Sequence, residues 1–243
     1  MTSTLKTNAI EPEGATTNLV IGESGQNTVI SNNDIRANVL QDAGGNAVFT
    51  SNGSGVLSGV NSGFGGAMVL LSTQTASDSA SLTFTGLMTS TYGEYIFKFY
   101  NINPATDGQR FQFQVNATDG ADFNDSAITS TYFVAMANES GTSTSFEYRA
   151  DADQAQGTAF QRMTLGVGSA ADESCVGELH IFNPSSTTYA KHFTATLNVC
   201  NSTSYSINTF IGGYINDTTA IDDIQFKMAS GNFDGKIKMW GVK

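Results

Sequence analysis

The residues best able to do chemistry in this sequence are three groups of carboxylates. Asp119, Asp122 and Asp125 fall in the stretch DGADFND, Asp151 and Asp153 in RADAD, and Asp222 and Asp223 in AIDDI. The first group offers several oxygen ligands from one loop, which is what calcium takes, but it lacks the alternating Asp spacing and central Gly of an EF-hand loop. It reads as a solvated turn in an acidic protein. Asp222 and Asp223 read as solvent-facing residues just before a strand. Two carboxylates could also cleave a glycosidic bond, if a groove held them roughly 5 to 9 Å apart. No pair is marked out by its spacing for that role.

Other chemistry is poorly supported. His180 and His192 sit on what read as adjacent strands, His180 sharing an outward face with Glu178 and Phe182. No GxSxG turn is present to strain a nucleophile, so Ser-His-Asp catalysis has no anchor. Both histidines read as surface or interface residues. Cys175 and Cys200 are the two cysteines, and the absence of CxxC or HxxxH spacing argues against a zinc site. They could form one disulfide, remain as two thiols, or be unrelated. The single Trp, Trp240, alternates onto the face of Lys236 and Lys238. There it could mark a subunit contact, a sugar-stacking platform or an edge contact within the fold. No catalytic, cofactor-binding or metal-binding residue is assigned.

Composition narrows the function classes. Charged residues make up 14% of the chain, well below the usual share of about 25%. Polarity is carried instead by Ser, Thr, Asn, Gln and Gly, as in extracellular or particle-associated β-proteins. The net charge of -11 and the lack of clustered Lys and Arg argue against nucleic-acid binding. The opening MTSTLKTNAI lacks the apolar core of a signal peptide, and no apolar run approaches the length of a membrane span. The expectation is a protein without membrane insertion and without a standard export signal.

The elements that must position these residues read as β throughout. Near the start stands a ladder, Val20-Ile21, Val29-Ile30, Val39-Leu40, Val48-Phe49 and Val56-Leu57, whose Val positions are 9, 10, 9 and 8 residues apart. Each rung is too short to bury much alone. Three chains round an axis could bury every rung, which is the logic of repeat architectures. The other possibility is a loose polar arm. Residues 1–18 read as an extended docking arm, 19–66 as a repetitive β stalk ending in the Gly-rich joint NSGFGGA, and 67–243 as a head domain.

In the head, EYIFKFY over 94–100 and RFQFQVN over 110–116 alternate as strands, and the loop between them suggests a hairpin or an adjacent pair. Phe111, Phe113 and Val115 should face inward, with Gln112, Gln114 and Asn116 outward. Further strands are expected around 131–137, at Phe146 and Tyr148, over Phe160 to Val167, and over 178–182, 191–200, 207–215, 224–228 and 236–242. Gly212-Gly213 suggests a bulge or bend. Residues 138–145 and 150–157 read as polar loops. About ten short strands without a long amphipathic helix make a β-sandwich, jelly-roll-like, the expected architecture.

Three segments carry a resemblance. STLKTNAI with its following rungs, then STYGEYIFKFYNINPATDGQRFQFQVN and the ending IQFKMASGNFDGKIKMWGVK, resemble virion structural proteins of tailed phages of marine bacteria. The resemblance implies a structural protein of tail-fibre or decoration type, assembled in the host cytoplasm, and it carries over no functional residue. The expected function is therefore non-enzymatic. A homotrimer would join other virion proteins through residues 1–60 and present its head to host cell-surface glycan. The alternatives are a capsid decoration or cement protein and a glycan depolymerase.

Overall fold

A computed structural model of the chain describes residues 39–42, 44–51, 54, 67–118 and 122–243, together with the backbone of 57–60. The docking arm, the first two rungs of the ladder, the joint at 61–66 and Asp119 lie outside the described residues. These residues form sixteen β-strands and no helix. The chain divides into two compact units, 1–64 and 65–243.

In the first unit, strands β1 (Val39–Gln41), β2 (Ala47–Ser51) and β3 (Leu57–Val60) form an antiparallel sheet in sequence order. The later rungs of the ladder are therefore neighbouring strands, with Leu40 opposite Phe49. The β1–β2 turn is closed by Asp42, whose Oδ1 accepts the N–H groups of Gly44 at 2.8 Å and Asn46 at 2.9 Å. An Asp at this place bonds its own backbone ahead and so fixes the turn. Val39 and Leu40 remain more than 40% exposed.

The second unit is a β-sandwich. Its large sheet runs β10 (Ala155–Gly157), β8 (Ile128–Asn138), β14 (Tyr205–Ile215), β13 (Lys191–Cys200), β12 (Cys175–Phe182), β6 (Glu94–Pro104), β16 (Phe233–Val242) and β4 (Met68–Ser79), with β9 (Thr144–Tyr148) also paired to β8. Its small sheet runs β11 (Gln161–Arg162), β7 (Phe111–Ala117), β15 (Ile221–Met228) and β5 (Leu82–Phe84). The pairings are antiparallel.

Period-2 alternation decides which side chains meet between the sheets. On β13, Phe193, Ala195, Leu197 and Val199 are buried, while His192, Thr194, Thr196 and Asn198 are exposed. Phe226 on β15 is the centre of the core. Its ring lies 5.3 Å from both Phe97 and Phe99 of the large sheet and 5.9 Å from Phe111 of its own sheet. Phe113 meets Phe193 edge-on at 5.2 Å and ties the sheets together farther along.

Several local expectations are corrected. Strand β6 does not turn at Asn103-Pro104 to pair with β7. It continues to Pro104, and the chain then crosses to the other sheet. Phe99 and Phe111 become partners across the core, edge-on at 5.2 Å. Gln114 alternates with the inward residues but is itself fully buried. Its Nε2 donates to the carbonyls of Ser126, Thr158 and Ala159 at 3.0 to 3.2 Å, so the amide pins two loops beneath which it is covered. Gly212-Gly213 makes no bulge, because β13 and β14 keep one register through it. Gly213 serves a close approach instead: a Cβ there would stand 2.6 Å from the Thr129 carbonyl and 2.7 Å from the Phe193 ring. The strand expected over Phe160 to Val167 is reduced to Gln161–Arg162 and a lone bridge between Gln109 and Val167.

Candidate functional site

The large sheet is wider than the small one, and this difference makes the site. The inner faces of β8 and β14 are covered at Ser130 and Thr209 by the segment of β11, which they meet through Gln161 and Met163, and they open toward Met136 and Tyr205. The overhang becomes the floor of an open cleft of about 570 Å³. Met136 of β8 and Tyr205 and Ile207 of β14 supply the floor, and Leu165 faces them from the opposite side. The register that places Ile207 beside Met136 and Tyr205 beside Asn138 follows from the continuous β8–β14 ladder.

The far wall is the segment before β7. Gly108 and Arg110 line it, and Gly166 packs against Gly108 so closely that a Cβ on Gly166 would lie 2.9 Å from the Gly108 carbonyl oxygen. The near wall is β9 and the turn after it. Ser145, Glu147 and Arg149 point into the cleft, because alternation sends Phe146 and Tyr148 to the other face.

Arg149 organises this wall. Its Nε and Nη2 donate to the two oxygens of Asp151 at 2.9 and 3.2 Å, and its Nη1 lies 3.6 Å from Glu147. Arg162 reaches in from behind, donating to the Asp151 carbonyl at 2.7 Å. The guanidinium beside it holds the Asp151 carboxyl below its ordinary value, and the same contact raises Arg149. Three of the four arginines in the chain, Arg110, Arg149 and Arg162, thus line or brace a single cleft.

The rim is the β13–β14 turn. Asn201 Oδ1 accepts the backbone N–H groups of Thr203 at 3.1 Å and Tyr205 at 2.9 Å, and the Thr203 hydroxyl at 3.1 Å. These donors fix which end of the amide is oxygen. Opposite, Asn138 Oδ1 accepts the N–H groups of Thr142 and Ser143, each at 2.9 Å, and shapes the β8–β9 turn.

Comparison with protein-family models, curated proteins and solved structures finds no match.

The structure disperses most of the residues singled out from sequence. Among the described residues, Asp122 and Asp125 bond only locally, to the Asn124 N–H at 3.2 Å and the Ser126 hydroxyl at 3.4 Å. Asp153 accepts from the Tyr148 hydroxyl. Asp223 lies within β15, where its Oδ1 accepts the Gly86 N–H at 2.8 Å, and burial together with Asp223 pushes the neighbouring Asp222 up. Among the described residues, no three His, Cys, Asp or Glu stand close enough to hold a metal ion.

His180 and His192 do not meet. His180 sits on the outer face of the large sheet between two glutamates, its Nδ1 2.5 Å from Glu94 and its Nε2 3.3 Å from Glu178. Burial alone would raise Glu178, but bonds from His180 and Lys98 outweigh it and hold the carboxyl low. His192 packs instead on Tyr214, ring to ring at 6.0 Å. Trp240 shares this outer face with Lys236 and Lys238, opposite Leu70 and Ile96. Cys175 and Cys200 are both free thiols.

Of the cleft, the sequence singles out only Asp151 and the two loops that flank it. Arg110, Arg149, Asn201 and Tyr205 stand in no motif. The available signal was the scarcity of arginine, since three of only four fall between 110 and 162.

Proposed function

We propose that this chain is a non-enzymatic virion structural protein of fibre type, whose β-domain binds host cell-surface glycan in the cleft between the two sheets. Residues 1–60 join it to other virion proteins, and three copies associate so that weak contacts are multiplied. The observation that carries the reading is the position of the cleft. The chain enters the sandwich at Met68, beside Val242 on the last strand. The loops that rim the cleft, 139–143 and 201–204, lie at the other end of the strands. The cleft and its polar rim are thus remote from the point at which the chain enters the sandwich.

The chemistry of the cleft supports binding over cleavage. A glycosidase needs one carboxyl raised to act as an acid. The carboxylates that line this cleft, Glu147 and Asp151, are both paired to Arg149, and Asp151 is held low. An apolar floor with a tyrosine, under a rim of Ser, Thr and Asn, suits a ligand with one apolar face and many hydroxyls.

The test is to apply the purified chain to an array of bacterial surface polysaccharides and assay the same samples for released reducing sugar. Retention without release is expected. Release of reducing sugar replaces the reading with a depolymerase, and absence of retention across the array overturns it.

A capsid decoration protein is the second reading. It is favoured by the outer face of the large sheet, where Phe133, Phe146, Tyr148 and Phe210 are each at least 36% exposed on adjoining strands. Densitometry of purified particles separates the two: a fibre is present in tens of copies at most, a decoration protein in hundreds.

A further inference from the structure

Resting on the glycan reading, we propose that the cleft selects an acidic sugar, and that Arg110 binds the carboxylate of a uronic-acid unit. The three arginines at the cleft differ in their partners. Arg149 is occupied by Asp151 and Glu147, and Arg162 by the carboxylate and carbonyl of Asp151. The guanidinium of Arg110, on the opposite wall, has neither a hydrogen bond nor an ion pair among the described residues. The residue is half-buried and lines the same cleft as Leu165 and Gly166.

A second donor lacks a partner in the same cleft. The oxygen of the Asn201 amide is consumed by the Thr203 and Tyr205 donors, which leaves Nδ2 with no acceptor among the described residues. Both unfilled groups are donors only. Arg has no acceptor, and the amide's acceptor is already used. The ligand must therefore bring acceptors, and a carboxylate matches the planar fork of a guanidinium better than any neutral group.

The charge of the whole chain sharpens the point. A protein of net charge -11 repels anions at long range. Two of the four arginines nevertheless line this cleft, and a third braces its wall. Among the charged residues that line the cleft, Glu147, Arg149 and Asp151 are paired with one another and Arg110 is the one without a partner. The Tyr205 ring and the apolar floor distinguish a sugar from an acidic peptide: a pyranose has a C–H face to lay on them, and its hydroxyls meet Ser145 of the near wall and Ser202 and Thr203 of the rim.

The experiment uses the full chain against uronic-acid oligosaccharides, their carboxyl-reduced counterparts, neutral oligosaccharides and poly-glutamate. Wild-type protein should retain the uronic-acid probes, lose at least about tenfold in affinity on their reduction, and weaken as salt is added. Arg110→Met should bind the carboxylated and reduced probes alike, with an unchanged melting temperature, because the side chain it removes holds no internal partner. Equal binding of both forms by the wild type, or full retention of the carboxylated probe by Arg110→Met, overturns the role of Arg110 and leaves glycan binding standing. Preference for poly-glutamate assigns the cleft to an acidic peptide instead. Failure of every saccharide, neutral ones included, overturns the glycan reading on which the inference rests.

Discussion

Arg149 grips Asp151 in a fork, with Nε 2.9 Å from one carboxylate oxygen and Nη2 3.2 Å from the other, across only two residues of chain. Such bidentate pairs fix orientation as well as charge. The pair sets the angle of the cleft wall, and Arg162 locks it from behind through the Asp151 carbonyl.

Asp151→Asn should therefore weaken retention on polysaccharide while barely changing stability. The carboxylate is 56% exposed, so its pairing is worth under about 1 kcal/mol. The sign with pH follows from a folded value held below the ordinary 3.8. The contribution is fully present above pH 3.8 and is lost as pH falls through the folded value. Thermal melts of both proteins between pH 7 and pH 3 check this: wild type should lose slightly more stability than the variant on acidification. Equal loss removes the fork from the account.

Phe226→Ala is the most damaging core substitution expected. The ring is wholly buried and meets Phe84, Phe97, Phe99 and Phe111 at centroid distances between 5.3 and 6.1 Å. Truncation leaves a cavity where both sheets meet, at a cost of about 3–5 kcal/mol. Urea denaturation of the two proteins measures it. A loss under about 1 kcal/mol would mean that the sheets close over the gap and that the aromatic cluster is not the centre of the core.

The two thiols should behave differently. Cys175 is buried, and burial drives it well above the ordinary thiol range. Cys200 is part-exposed but is also pushed up, by burial first and then by Glu173, Glu139 and Asp172. Thiolate is the reactive form, so both are slow nucleophiles near neutral pH. Titration with a chromogenic disulfide should find no more than one slowly reacting thiol in the native protein and two after unfolding. Finding none after unfolding without reductant would mean that the cysteines are paired.

These features were unequally legible in the sequence. Strict alternation is a strong signal where one sheet face is dry, and the stretches around Phe193 and Ile224 carried it without ambiguity. It fails to say which strands pair, since Phe99 and Phe111 are equally inward whether they belong to one sheet or to two facing sheets. It also misjudges Gln114, because a polar residue is read as solvent-facing until the loops that cover it are known. The cleft was hidden for a different reason. It exists because one sheet outreaches the other, and sheet width is a property of pairing order. Asn201 and Tyr205 fall between the two stretches that read as strands, 191–200 and 207–215, and Arg110 at the polar start of another. The register of β8 with β14 places Tyr205 beside Asn138, and the Gln109–Val167 bridge holds the segment of Arg110 on the opposite wall.

Lys191 shows the same limit in a residue that supports the fold. It begins β13 beside His192, in phase with Phe193, and although lysine ordinarily reaches solvent its side chain is fully buried. Its ammonium donates to the carbonyls of Asp217, at 2.8 Å, and Thr219, so the charge clamps the β14–β15 connection from inside. Desolvation lowers its proton affinity, but the carbonyl bonds repay the burial only while both are in place. Lys191→Met keeps the apolar stem and removes the donor. It should cost about 1.5–3 kcal/mol, the usual worth of bonds to a charged group, and lower the melting temperature by about 2–4 °C per kcal/mol. Hydrogen exchange should quicken at residues 216–220 while the β12–β13 ladder stays protected. An unchanged melting temperature with unchanged exchange would show that methionine fills the site as well as the ammonium does, and that the connection is held by packing alone.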